Sequence, residues 1–159
     1  MTVVSPETEG VDFGNIPDTV DAMLQRGVAA YRTDRARAEK LFAEALAAAP
    51  RELPVYYCLY KVHTYQGNLG AALATASKGL AEAARQAGWP EDWERWPVPA
   101  GTPDGPARFA LYTLKALAFI HLKRNDPATA RRILDRLCLL DPAGLVGWRV
   151  IEALADAVG

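Results

Sequence analysis

With 159 residues, 50% of them apolar and 23% charged, the chain has the make-up of a globular protein long enough to bury most of its unfolded surface. Its formal charge of −1 supplies no global field to draw in nucleic acid or an anionic membrane, so charge-based recognition has to come from a local patch. No apolar run approaches the ~20 residues of a membrane span, no basic-then-apolar leader opens the chain, and Cys58 and Cys138 lie far apart without a CxxC pair, which reads as two reduced thiols in a cytoplasmic protein in preference to a disulfide.

Residues 1–17 carry Pro6, Gly10, Gly14 and Pro17 without a period and are expected to be extended or partly disordered. Helical spacing starts at "DTVDAMLQRGVAAYR", with Asp18 as N-cap and Asp21 in the first turn. A second helix follows Asp34 and stops at Pro50; Ala38, Leu41, Phe42, Ala45, Leu46 and Ala49 form one apolar stripe at three- and four-residue steps. Pro54 suits the first turn of a third helix that ends at "QGN", and a fourth runs from there to about Gln86. Pro106 opens a fifth helix reaching about Arg124. Asp126 and Pro127 then supply the cap and first position of a sixth. "DP" at 141–142 repeats that device for a last helix to about Val158. No segment reads as a strand, and the fold class is all-α.

A fixed period underlies these helices. Ala38, Phe42, Ala45 and Pro50 recur 34 residues later as Ala72, Ala76, Gly79 and Ala84, and 58 residues after that as Ala130, Leu134, Leu137 and Pro142. The excess over one period is 24 residues, which places an insertion between the second and third copies. It contains "GWPEDWERWPVPAGTPDGP", with three of the four tryptophans.

The pattern resembles the tetratricopeptide repeat, a 34-residue helix–turn–helix unit with the signature W-L-G-Y-A-F-A-P. The third copy matches it with Leu114, Leu117, Ala118, His121, Ala130, Leu134, Leu137 and Pro142; the second with Tyr56, Leu59, Tyr60, His63, Ala72, Ala76, Gly79 and Ala84. The first fits Met23, Arg26, Gly27 and Ala30 ahead of Ala38 if its turn is one residue short. The resemblance implies one domain over 18–158, a short right-handed superhelix of three repeats at about 19–50, 53–86 and 109–142. A Trp/Pro-rich insertion at about 87–108 and a capping helix at about 142–158 complete it.

In that family the first helix of each repeat lines a concave groove that binds peptides. Carried over by position, the resemblance assigns to the groove Asp21, Leu24, Val28, Tyr31 and Arg32 in the first copy. From the second it assigns Pro54, Tyr57, Lys61, Thr64 and Tyr65, and from the third Tyr112, Lys115, Phe119, Leu122 and Lys123. Aromatic rings with cations fit an acidic or aromatic segment of a partner protein. The carboxylate clamp of the chaperone-binding members is not expected, because its positions hold Leu24, Val28, Cys58, Tyr112 and Ala116.

No reaction is indicated. His63 and His121 both fall on a repeat position that points into the packed helix pair. Cys58 and His63 stand at i, i+5, off a common helix face, and no phosphate loop, HExxH or GxSxG occurs. No enzyme activity, metal, cofactor, nucleic acid or membrane partner is expected.

Two segments exceed what the repeat needs. "PEDWERW" would place Trp89, Trp93 and Trp96 on one face of a short helix, either as a plug over the joint between repeats or as a lid contacting a ligand. The last helix is too apolar for a simple cap, so Val146, Trp148, Val150 and Leu154 are candidates for self-association into a homodimer. The expected role is a protein-interaction adaptor. The alternatives are a small dedicated chaperone, since "LCLLDP" resembles a segment of the repeat-containing type III secretion chaperones, and a structural oligomerisation subunit.

Overall fold

Alanine-rich segments with apolar residues at three- and four-residue steps favour amphipathic helices. The computed structural model, which describes residues 13–158, accordingly holds seven α-helices and a single 3₁₀ turn, with no strand among the described residues. The extended leader expected over 1–17 lies outside the described residues up to position 12; residues 13–17 precede the first helix. The chain divides into two compact units, Met1–Asn68 and Leu69–Gly159, and the boundary falls at the "QGN" turn inside the second expected repeat.

The first unit contains α1 (Asp18–Tyr31), α2 (Arg35–Ala48) and α3 (Leu53–Tyr65). Pro17, with extended backbone at ψ 142°, takes the N-cap position of α1 and moves Asp18, expected there, one place into the helix. Asp18 and Asp21 then both lie in the first turn, beside the positive end of the helix dipole. Asp34 caps α2 as its sequence implies, its carboxylate accepting the Arg37 amide at 3.1 Å. Tyr56 ties the turn between α2 and α3 by donating its hydroxyl to the Pro50 carbonyl at 2.6 Å. Between the three helices lies a core of Val20, Leu24, Ala38, Phe42, Ala45, Val55, Cys58, Leu59 and Val62.

The turns differ in a way the sequence spacing foreshadows. Chain reversal after α3 uses Gly67 at φ 76°, and the reversal ahead of Asp126 uses Asn125 at φ 60°. The α1–α2 turn has no left-handed residue: Arg32 stays in the helical region, and the amides of Thr33 and Asp34 both donate to the Ala30 carbonyl.

The second unit contains α4 (Leu69–Ala87), α5 (Gly105–Lys123), α6 (Pro127–Leu140) and α7 (Trp148–Val158). The α5 helix packs against α4 and α6, and α7 packs on α6 and α5. Asp126 accepts the Thr129 amide at 3.2 Å, capping α6 as Asp34 caps α2. Ala110, Leu111, Leu114, Leu117, Ala118 and Ile120 of α5 are buried, as are Ala130, Ile133, Leu134, Leu137 and Leu140 of α6.

The last helix starts at Trp148, six residues later than the "DP" signal implies. Asp141 is buried and works as a hub for the intervening turn instead of a helix cap. Its carboxylate accepts the amides of Leu145 and Val146, each at 3.0 Å, and its carbonyl accepts the Trp148 indole N–H at 2.7 Å. Two amides on the carboxylate and one indole on the carbonyl of a single buried residue fasten this loop.

Candidate functional site

The short α1–α2 turn and the Tyr56–Pro50 bond hold α1, α2 and α3 around a cleft of about 330 Å³. Val28, Tyr31 and Arg32 come from the end of α1, Phe42 from α2, and Tyr57, Cys58, Lys61, Val62 and Tyr65 from successive turns of α3. Tyr57, Lys61 and Tyr65 follow one another at i, i+4 and i+8, the spacing that keeps side chains on one helix face. Lys61 Nζ donates to the Tyr57 hydroxyl at 2.9 Å and lies 4.9 Å from the Tyr57 ring centroid and 5.4 Å from that of Tyr65. The Arg35 guanidinium covers the Tyr31 ring at 4.9 Å.

The cleft therefore has an apolar floor and a cationic, aromatic rim, and none of its lining residues is a carboxylate. Cys58 belongs to the floor. Burial pushes its thiol up to about 12, against the lowering pull of Lys61, so at neutral pH it is an uncharged apolar contact and not a nucleophile. His63 is directed elsewhere, its Nδ1 lying 3.4 Å from Glu39 of α2.

Of the residues assigned to a groove by resemblance, Tyr31, Arg32, Tyr57, Lys61 and Tyr65 thus meet at one cleft, with Val28 beside them. Leu24 does not line it, being fully buried in the core, and Thr64 turns its hydroxyl to the Tyr60 carbonyl at 2.7 Å. The third-copy set is carried by α5 of the second unit: Lys115 Nζ lies 3.9 Å from the Tyr112 ring centroid and Lys123 Nζ 5.3 Å from that of Phe119. Arg35, the cation over the Tyr31 ring, is the residue beside the cleft that sequence reasoning passed over. Its i+4 offset from Tyr31 is the same aromatic-to-cation step as Tyr57–Lys61 and Phe119–Lys123, and that recurrence is the signal that could have found it.

The tryptophan-rich insertion belongs to the second unit. Only Trp93–Arg95 forms a 3₁₀ turn, so the three rings do not share one helix face. Trp96 is buried, with its indole N–H donating to the Pro90 carbonyl at 2.7 Å and its ring 5.0 Å from that of Trp89. Arg136 of α6 donates to the Trp96 carbonyl. Arg132 of α6 pairs with Glu94 at 2.7 Å and covers the Trp93 ring at 5.7 Å. The segment is fastened along α6, with Trp93 half-buried.

At the carboxy-terminal helix, Val146 and Trp148 are buried within the chain by their bonds to Asp141, while Val150 and Leu154 stand 67% and 44% exposed. Among the described residues no group of three or more His, Cys, Asp or Glu side chains is placed to hold a metal ion. No helix among the described residues is long and apolar enough to cross a membrane.

Both histidines sit near the ends of their helices, beside a carboxylate: His63 with Glu39, and His121 with Asp126 at 3.5 Å. Burial pushes both imidazoles below their ordinary value, against the opposing pull of Glu39 on one and Asp126 on the other; Arg124 lowers His121 further. A base whose folded-state pKa is depressed is neutral in the fold, so the unfolded chain takes up protons first as the pH drops below about 6.5. The stability is therefore fully present above that pH and declines between it and the lower folded-state values. Thermal unfolding followed by circular dichroism should show a lower midpoint at about pH 5.5 than at about pH 7.5, and His63→Gln with His121→Gln should flatten the difference.

No protein-family model, curated protein or solved structure matches the chain.

Proposed function

We propose that the chain is a tetratricopeptide-like helical repeat protein that acts as an interaction adaptor, holding a peptide segment of a partner in the cleft between α1, α2 and α3. The observation that carries this reading is the convergence of Tyr31, Arg32, Tyr57, Lys61 and Tyr65 on that cleft, since their assignment to a groove came from repeat position alone. The repeat interpretation draws further support from burial. Ala38 and Ala45, Ala72 and Gly79, and Ala130 and Leu137 are buried at equivalent places of the three copies, and Gly27 abuts the Phe42 ring.

The ligand that fits such a site is amphipathic. An aromatic or aliphatic side chain enters over Cys58 and Val62, and a neighbouring Asp or Glu lies at the rim near Arg32 and Lys61. Rings with hydroxyl tips contribute apolar area and hydrogen bonds at little entropic cost, which favours a short linear segment over a large flat surface.

Panning a displayed library of random peptides against the whole chain should enrich sequences with an apolar residue beside Asp or Glu. Arg32→Glu together with Lys61→Glu should weaken the enriched peptides by about tenfold or more, through lost attraction and new repulsion. Enriched peptides that bind the double variant unchanged would show that this rim is not the binding site.

A further inference from the structure

The chain that enters α1 is anchored on the same core that lies beneath the cleft. Phe13 and Ile16 are half-buried and pack against the cluster built from α1, α2 and α3. Between them the backbone bends: Gly14 takes φ 85°, and the Ile16 amide donates to the Gly14 carbonyl at 3.1 Å. A left-handed glycine at that place turns the preceding residues off the line of α1. Upstream of Phe13 the sequence reads "MTVVSPETEGVD", with carboxylates at Glu7, Glu9 and Asp12 and no lysine or arginine. Its charge is opposite to that of the cleft, where Arg32 and Lys61 stand at the rim and no carboxylate lines the wall.

We propose that residues 3–9 occupy the cleft as a tethered internal ligand, which a partner's peptide has to displace. The inference rests on the reading of the cleft as a peptide site given above. Sign, reach and tethering select this segment over an unrelated one. The α1 residues that line the cleft lie at its far end, and the helix from Asp18 to Tyr31 is about 20 Å long at the helical rise per residue. An extended chain covers that distance in about six residues, which brings Glu7 to the level of Arg32 and Lys61. Pro6 favours extended backbone beside it, so Val3 and Val4 follow toward the apolar floor of Cys58 and Val62. An aliphatic pair next to an acidic residue is the amphipathic pattern that suits this cleft. Both parts belong to one compact unit, and a short tether holds its segment at an effective concentration on the order of 1 mM. A contact with an intrinsic dissociation constant of about 0.5 mM then fills the cleft roughly two-thirds of the time.

A nitroxide on Thr2→Cys in a Cys138→Ser background tests this by nuclear relaxation of the full-length chain, because the remaining thiol, Cys58, is buried and uncharged. The amide signals of Tyr57, Lys61 and Tyr65 should lose most of their intensity and recover when the nitroxide is reduced. Glu7→Lys with Glu9→Lys should abolish the loss. Adding Arg32→Glu with Lys61→Glu should bring it back, a rescue that requires the two sets of charges to meet. Peptides enriched by panning should bind the Glu7→Lys, Glu9→Lys chain about threefold more tightly than the unsubstituted one. Undiminished signals in the labelled chain, or a loss that survives the two lysines, overturn the proposal. Peptides that bind both chains equally overturn the displacement it specifies. Attenuated signals with no peptide enriched support the internal contact and count against the adaptor; peptides that bind the cleft while the label stays remote do the reverse.

Discussion

Trp96→Ala should lower the unfolding free energy by about 3–5 kcal/mol, the range for removing a fully buried large aromatic side chain. Trp96 is 1% exposed, and three separate attachments meet there: the indole bond to Pro90, the ring contact with Trp89, and the Arg136 donor on its carbonyl. Truncation leaves a cavity and an unpaired Pro90 carbonyl and removes the ring contact with Trp89, which loosens the chain between α4 and α5 although the Arg136 bond to the backbone carbonyl and the Arg132–Glu94 pair remain. Chemical denaturation should report the lost stability, and limited proteolysis should cut within 88–104 well before the helices. Trp93→Ala provides the contrast. Trp93 is half-buried beneath an exposed arginine, and its loss should cost only about 0.5–1 kcal/mol. Equal destabilisation by the two substitutions would contradict the anchoring role of Trp96.

Gly27→Leu should be nearly as damaging, for the opposite reason. A Cβ on Gly27 would lie 2.7 Å from Cδ1 and 2.8 Å from Cζ of Phe42, with Cε1 closer still. The ring can yield only toward the cleft it lines, because Phe42 is 4% exposed in the core shared by α1, α2 and α3. Even Gly27→Ala should lose about 1–3 kcal/mol to overpacking, outweighing the ~1 kcal/mol that alanine gains in a helix. Leucine should cost more and, by pushing Phe42, should distort the cleft it lines. The same collision predicts its own rescue. In a Phe42→Leu background, Gly27→Ala should become neutral or mildly stabilising, measured as a positive coupling in a double-mutant cycle. Absence of coupling would mean that α1 and α2 separate without cost.

Much of this protein is legible in its residues because helical periodicity and capping are local. Asp34 and Asp126 announce α2 and α6, and both carboxylates cap the expected amides. The small residues at 38, 45, 72, 130 and their partners mark positions where another backbone comes close, and they are buried. Gly27 and Phe42 are readable for the same reason: a glycine in a helix interior costs stability unless something needs its space.

What sequence could not decide depended on competition between local signals and distant partners. "DP" at 141–142 has the form of a helix start, yet the Asp141 carboxylate is occupied by the amides of Leu145 and Val146, and the helix is delayed to Trp148. Trp89, Trp93 and Trp96 have helical spacing, yet Arg132 and Arg136 on α6 hold the segment as an irregular strap. Val146 and Trp148 have the apolar character of an interface and are spent inside the chain, which moves the exposed seam of α7 to Val150, Ala153, Leu154, Ala157 and Val158. Periodicity says that a face is apolar. Only packing decides what covers it, because burial is a property of the whole chain and hydrophobic contact carries no direction of its own.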